Sequence, residues 1–595
     1  MTVQTDATAG GELKKLPMPD VGDFVFLFVM WLNLFVIPNH LFEDGSTGWH
    51  VVAGDFILKT GTIPYVDLFS NSFPTKEWVA YEWLYDFFMA FVIQCGGLKL
   101  LAVVLTAAIA FLFLSIYDRI RREGAGIWTA FWLVIVAILT SAMHWLARPH
   151  LVTFWCVWIF ATVLEDFYRG TVRVKKLFLL LCPLMLVWVN CHPAFMLGLI
   201  ITSIFVVSTV VQSKMNALES ERSKFAKQRN WLLILLVALF AITFLNPYGY
   251  HLHQYILGYL RGSEILAATD EYLSPVFKGG LHLTCLEILF FSFTIGLFVC
   301  QRRITLPGFI TCLAFGYASL TAQRNMPLYA IVATPYIGGL LARHTFPGNG
   351  KTIVASSAVA HPHSLEPSFE SQSSSNSNPS LNTDVNSSSD ASFNSNSNSE
   401  PGSNTKSESE IESQIPTSTL SQSPSQSGSF LHRIKNSLGD FEEQEAHCKM
   451  HLLPIAYTLF LIGVAVTGGS FLGKPFLTST FDPKLMPVET AQYIKDNKVD
   501  MQHLFNYDNW GGYLRYTTGQ RVFIDDRADF YGQNFYARYS TAMVAAEGWQ
   551  NVLDESKIDW VLFPKNSALA TTLQTDKDWK VAASDQASIL FQRLK

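Results

Sequence analysis

Charge is what this sequence has least of. Only 15% of its 595 residues are Asp, Glu, Lys or Arg, against about 25% in an average soluble domain. The shortfall is concentrated in long apolar runs, which excludes a single soluble globule and marks a polytopic membrane protein. A net charge of −5 offers no basic surface for nucleic acid. Cysteine is informative through its placement. None follows Phe471, and no C-x-x-C occurs, which argues against a disulfide framework and against a cysteine metal cluster. No P-loop, G-x-S-x-G or H-E-x-x-H is present either, so three common catalytic signatures are missing. The first apolar run follows Lys14 and Lys15 as a leader would, but Pro38-Asn39-His40 supplies no small-residue cleavage site. It reads as a retained anchor.

What the chain has in abundance is hydrophobic and aromatic side chain, with 45 Phe and 15 Trp. Taking ~20 apolar residues per crossing, spans are expected near 21–38, 86–117, 126–143, 150–167, 177–190, 194–212, 231–245, 285–300, 306–322, 326–342 and 452–472. That is about eleven. The 86–117 run is long enough for a re-entrant or tilted piece plus a span. The 177–190 and 194–212 runs meet at Asn190-Cys191-His192-Pro193, and short, Pro-interrupted spans often line a cavity.

Lys and Arg in the short loops set the orientation. Lys14/Lys15, Arg119–Arg122, Arg169–Lys176, Lys214–Arg229, Arg302-Arg303 and Arg343 fall after alternate spans. This predicts a cytoplasmic N-terminal tail (1–20), a multi-span domain (21–344) whose large outer loop is 39–85, and a plasma or inner membrane location. Residues 345–430 are dominated by Ser and Asn and read as a disordered cytoplasmic linker. Residues 431–472 then supply an amphipathic helix and the last span. The remainder, 473–595, alternates strand and helix patterns and is expected to be a small extracytoplasmic α/β domain. Its strands are placed at His503–Tyr507, Gln520–Ile524 and Trp560–Phe563, followed by a hairpin of Val581–Ala583 with Ser588–Arg593.

The polar residues that need explaining cluster on the outer side. Glu43–Glu82 carries Glu43, Asp44, His50, Asp55, Asp67 and Glu82 beside Trp49, Trp78 and Trp83. A carboxylate just beyond a span can take a proton from an acceptor hydroxyl at the lipid surface, which makes Asp44, assisted by Glu43 or His50, the candidate base. A solvated loop acid would look the same in sequence. Trp49, Val52, Ala53, Phe56 and Ile57 recur at helical spacing, which predicts an amphipathic helix lying along the membrane surface, with His50 available to a phosphate or metal. Arg148-Pro149-His150 opens a span. Arginine is the natural bidentate donor to a phosphate oxygen, although snorkelling to the interface explains it too. Arg324 has the same two readings. Asn190 and His192 sit at a tip whose helix start could offer free amides to an anion, or form a tight turn. Asp525-Asp526-Arg527-Ala528-Asp529 follows a strand and reads as a charged turn fixing the domain, with Asp529 open.

These blocks together resemble the GT-C superfamily of integral-membrane glycosyltransferases, in particular its bacterial branch with an extracytoplasmic C-terminal domain. They are Glu43-Asp44, Trp49-His50-x3-Gly54, Asp67-Leu-Phe-Ser, Tyr81-Glu-Trp-Leu, Ala147-Arg-Pro-His, Asn190-x-His192, Asn246-Pro-Tyr-Gly, Arg324 and Phe523-Ile-Asp-Asp-Arg-Ala-Asp. The resemblance implies hexosyl or pentosyl transfer from a polyprenyl-phosphate carrier to an acceptor on the outer face. A first-loop acid would serve as base or help bind a divalent metal, and Asp44 best matches that acid. Substrate contacts are then expected from His50, Asp67, Glu82, Arg148, His150, Asn190, His192 and Arg324. Two other readings fit a polytopic chain, a transporter or flippase and a non-catalytic envelope scaffold. Repeated halves with midplane polar groups would mark the former, and no convincing internal repeat is present.

Overall fold

The computed structural model describes residues 18–261, 270–299, 304–342 and 451–594, together with Phe441 and Glu445. The expected linker, and nearly all of the amphipathic helix expected at 431–450, lie outside the described residues.

Among the described residues, six helices are long and apolar enough to cross a membrane: Trp83–Arg122, Ile127–His144, His150–Arg169, Pro193–Met215, Glu219–Ile242 and Leu281–Val299. Shorter apolar helices occupy Val21–Val36, Leu306–Thr321 and Leu452–Val466. Large apolar side chains cover the outside of this bundle, Phe298, Phe291, Val237 and Trp132 among them. An unbroken apolar exterior on packed helices is stable in lipid and not in water.

Local chemistry explains the helix limits. The first helix starts with a reciprocal cap, since Asp20 Oδ1 accepts the Asp23 amide at 2.9 Å and Asp23 accepts the Asp20 amide in return. The run from Trp83 to Arg122 is two helices joined at Gly96-Gly97, where Gly97 has φ +69. That conformation suits glycine alone, and it divides the run into the short piece and the span its length suggested.

The 473–595 region folds round a four-stranded sheet. In spatial order the strands are Leu504–Asn506, Trp560–Pro564, Ser588–Arg593 and Trp579–Ser584. The first pair is parallel and the other two are antiparallel. Helices Val488–Asp496, Gln533–Met543 and Ala568–Thr575 complete an α/β unit, as the alternating pattern predicted. One expected strand is absent. Gln520–Ile524 does not join the sheet; Val522 bridges instead to Ser70 of the first loop, its amide bonding Phe69 O at 2.9 Å.

That bridge is part of a larger join. The Ser46–Thr60 helix packs between the first half of Trp83–Arg122 and the helix Gly511–Thr518. Trp49, Phe69 and Trp78 of the loop share one apolar cluster with Phe505, Phe523, Phe563 and Phe591 of the C-terminal unit. The expectation of a helix lying along the membrane surface is therefore corrected. Its tryptophan is buried by protein on both sides because the C-terminal unit closes over it. Close approach makes the join tight, since a Cβ added at Gly48 would meet Gly512 O at 2.2 Å. Backbone cannot yield there, so Gly48→Ala is expected to cost about 1–3 kcal/mol. The effect should read out as a lower midpoint of thermal unfolding and faster proteolysis after residue 472.

Candidate active site

Where the loop, the helix ends and the C-terminal unit meet lies a cavity of about 730 Å³. Sites for small ligands usually enclose about 300–1,000 Å³ with a few convergent polar groups. Of the ten residues singled out from sequence, eight line this space: Glu43, Asp44, His50, Glu82, Arg148, His150, His192 and Arg324.

Arg148 is the hub. Its Nε lies 2.5 Å from Asp44 Oδ2 and donates to Ser46 Oγ at 2.7 Å, while Nη1 reaches Glu271 at 3.0 Å and Nη2 reaches Asp526 at 3.2 Å. The guanidinium thus joins the first loop, the segment after the Tyr250–Arg261 helix, and the C-terminal unit. Asp44 also accepts the Ser46 amide at 2.8 Å, which fixes its carboxylate in a turn. Glu43 is tied to His40 at 2.8 Å.

The acids around this hub differ sharply. Burial, then the nearby Asp44 carboxylate, push Asp526 up to about 8 despite Arg148. Trp49 Nε1 donates to it at 2.9 Å. Burial likewise raises Glu82 to about 8. For Glu271 burial acts in the same direction, but Arg148 and Arg324 outweigh it and hold the group down at about 2. At neutral pH the cavity therefore contains both protonated and ionised carboxyl groups. That is the condition for acid and base roles to coexist.

The histidines are largely structural in their contacts. His50 stacks on Trp49 with ring centroids 3.6 Å apart and pairs with Asp86 at 2.6 Å. Burial, then Arg148, hold His50 well below its ordinary value. His150 Nε2 donates to the carbonyl of His144 at 2.6 Å. His192 Nδ1 lies 2.9 Å from Thr153 Oγ1 and also caps the turn at Pro193, accepting from Ala194 N–H at 3.4 Å. The turn geometry expected for Asn190–Pro193 is what forms, and its amide is already taken.

Arg324 is different. Its guanidinium lies over the Tyr272 ring, 4.4 Å from the centroid, and no carboxylate stands within ion-pair distance of it among the described residues. It is a cation that faces the cavity without a direct ion pair, near enough to Glu271 to help keep that carboxyl ionised.

Two expected substrate contacts sit elsewhere. Asp67 is fully buried outside the cavity lining, 2.6 Å from Arg527 and accepting from Ser70 N–H and Oγ at 2.7 Å. It ties the loop to the C-terminal unit. Asn190 accepts from Trp83 Nε1 at 2.9 Å and donates to Leu186 O and Leu245 O, which fastens one helix end to its neighbours. Both corrections have one cause: these polar groups are consumed by partners far away in sequence.

The cavity also contains residues that the sequence reading passed over, and others that it read as a charged turn with Asp529 open. The Tyr250–Arg261 helix brings in Tyr255 and Tyr259, Glu271 follows it, and Asp526 and Asp529 come from the 525–529 run. Tyr255 donates to Asp529. Leu252 and Ile256, buried at i and i+4, are the periodic signal for that helix. Asp526 and Asp529 had a signal in sequence, a charged run just after an expected strand, which was read as a turn fixing the domain with Asp529 open.

A divalent ion does not fit this arrangement. Arg148 fills the space between Asp44, Glu271 and Asp526, and among the described residues no three acidic or histidine donors converge in the cavity.

No family model and no curated protein matches the sequence. In structure, the chain is similar to the oligosaccharyltransferase AglB of the archaeon Archaeoglobus fulgidus, solved with an inhibitory peptide and a dolichol-phosphate. The TM-score is 0.52 at 9% identity, over 91% of this chain and 69% of that one. The apo form of the Archaeoglobus fulgidus oligosaccharyltransferase superposes at 0.49 with 10% identity over the same shares. At such identity the first of these likenesses establishes a common fold, membrane helices followed by a C-terminal unit.

Proposed function

We propose that this protein is a membrane glycosyltransferase of the GT-C type, moving a hexosyl or pentosyl group from a polyprenyl-phosphate donor to an acceptor at the outer face of the plasma membrane. The observation that carries the reading is the pairing of a carboxylate cluster with an arginine that makes no direct ion pair, in one cavity at the end of a membrane bundle. The shared fold supports it, because the solved relative is an oligosaccharyltransferase bound to a lipid phosphate.

In this reading the acceptor hydroxyl attacks the anomeric carbon, the bond from that carbon to the phosphate oxygen breaks, and Asp44 takes the hydroxyl proton. The departing polyprenyl phosphate is stabilised by Arg324, the cavity cation that makes no direct ion pair. Arg148 serves first to hold Asp44 and the C-terminal unit in register. Glu82 and Asp526, protonated at neutral pH, hydrogen-bond sugar or phosphate oxygens without adding like charge.

Membranes bearing the protein, supplied with a labelled polyprenyl-phospho-sugar, are expected to release the label from lipid into a covalent product. Solute movement into vesicles with no such product would overturn the reading in favour of transport. Arg324→Ala should lower kcat/KM for the donor by about 10²–10³, the usual cost of one charge-stabilising donor. Arg324→Lys should recover part of it, since the charge returns without the planar fork. Equal activity in all three proteins would remove Arg324 from the phosphate site.

A further inference from the structure

A second cluster lies at the other end of the bundle. Asp20 begins the first helix, Asp118 sits in the last turn of Trp83–Arg122, and His451 precedes Leu452–Val466. Each is at the end of its helix remote from the cavity, because the opposite ends lead to the first loop, to Glu82 and to the C-terminal unit. One donor atom from each lies within 4.8 Å of the others.

The imidazole of His451 is surrounded by carboxylates. Nδ1 is 2.7 Å from Asp23 Oδ1 and 3.9 Å from Asp20 Oδ1, and Nε2 is 3.2 Å from Asp118 Oδ2. Among the described residues no lysine or arginine comes within ion-pair distance of these three acids. One imidazolium cannot neutralise three carboxylates. A second observation points to a missing ligand: Asp20 is 3% exposed, yet its Oδ2 is buried and accepts no hydrogen bond. A buried carboxylate oxygen without a donor is costly unless a cation completes it.

We infer that Asp20, Asp118 and His451 form a binding site for a divalent transition-metal cation such as Zn²⁺ or Mn²⁺. The mixed nitrogen and oxygen donor set suits these ions. The ion replaces a ring proton of His451 and neutralises the surplus of carboxylate. Its effect is to clamp the start of the Leu452–Val466 helix to the first and third helices of the chain. The site lies at the other end of the bundle from the cavity and shares no residue with it.

The full-length protein, purified in detergent and passed through size-exclusion in the presence of Zn²⁺ or Mn²⁺, is expected to retain about one equivalent by elemental mass spectrometry. His451→Ala and Asp118→Asn should each lose it, and Asp44→Asn should keep it, which separates this site from the cavity. Asp20→Asn guards against misfolding, because the amide oxygen still accepts the Asp23 amide while the charge is gone. Retention should fall at least tenfold in a protein with unaltered elution volume. No metal on the wild type, or equal retention in the three site variants, overturns the inference and leaves His451 as a protonated clasp between Asp23 and Asp118.

Discussion

Asp44→Asn should reduce sugar transfer by about 10²–10⁴, the range spanned by loss of a positioned general base, while affinity for the polyprenyl-phospho-sugar stays within a few-fold of the wild type. Asparagine keeps the shape of the side chain and can still accept the Ser46 amide at 2.8 Å, so the turn survives. What disappears is the negative charge 2.5 Å from Arg148 Nε and the capacity to take a proton. Donor binding rests on Arg324 in this account and should not follow. The neighbouring Glu43→Gln is the control. That side chain is engaged with His40 at the cavity margin, and its loss should cost only a few-fold. Full activity of Asp44→Asn, in membranes where Arg324→Ala is impaired, would take the base role away from Asp44 and leave the phosphate site standing.

The second large effect is on stability. Asp67→Ala removes one of the two carboxylates that bracket Arg527, which is 2.6 Å from Asp67 and 2.7 Å from Asp525. The guanidinium is otherwise surrounded by aromatic faces, with the Phe69, Phe530 and Trp78 centroids at 4.3, 4.6 and 5.1 Å. A buried cation stripped of a partner costs about 3–5 kcal/mol. With Asp525 remaining, the lower end of that range is expected. The measurement is the denaturation midpoint of the purified protein together with the KM for donor. A substrate contact would raise KM in a protein of normal stability; the observed geometry calls for the reverse.

Sequence and structure agree where the signal is local. Long apolar runs, the excess length of the 86–117 run, the closing hairpin of the C-terminal unit and its central strand at Trp560–Pro564 all follow from spacing and composition within a few turns of chain. The site was half visible for the same reason: acids and cations beside spans stand out in a sequence so poor in charge. The misreadings share a different origin. Asp67 is spent on Arg527, Val522 pairs with Ser70 instead of a sheet strand, and Trp49 is covered by Gly511–Thr518. Each depends on a partner more than 400 residues away, a distance over which periodicity carries no information. Glu271 is an intermediate case. The Tyr250–Arg261 helix ahead of it had a readable pattern, but the side chain it delivers to Arg148 did not.

The shared core has a consequence for how the protein comes into being. Asp67 and Arg527 are separated by 460 positions. At a synthesis rate of about 5–20 residues per second, the first loop waits for about 20–90 seconds before its partner emerges. During that interval Trp49, Phe69 and Trp78 lack the cover that the finished protein gives them, and the cavity wall built from Asp526 and Asp529 does not yet exist. A chain that has not yet reached residue 529 therefore lacks the C-terminal wall of the cavity. Completion of the last segment closes the cavity, and a chain truncated before it is expected to leave these tryptophans uncovered and open to proteolysis.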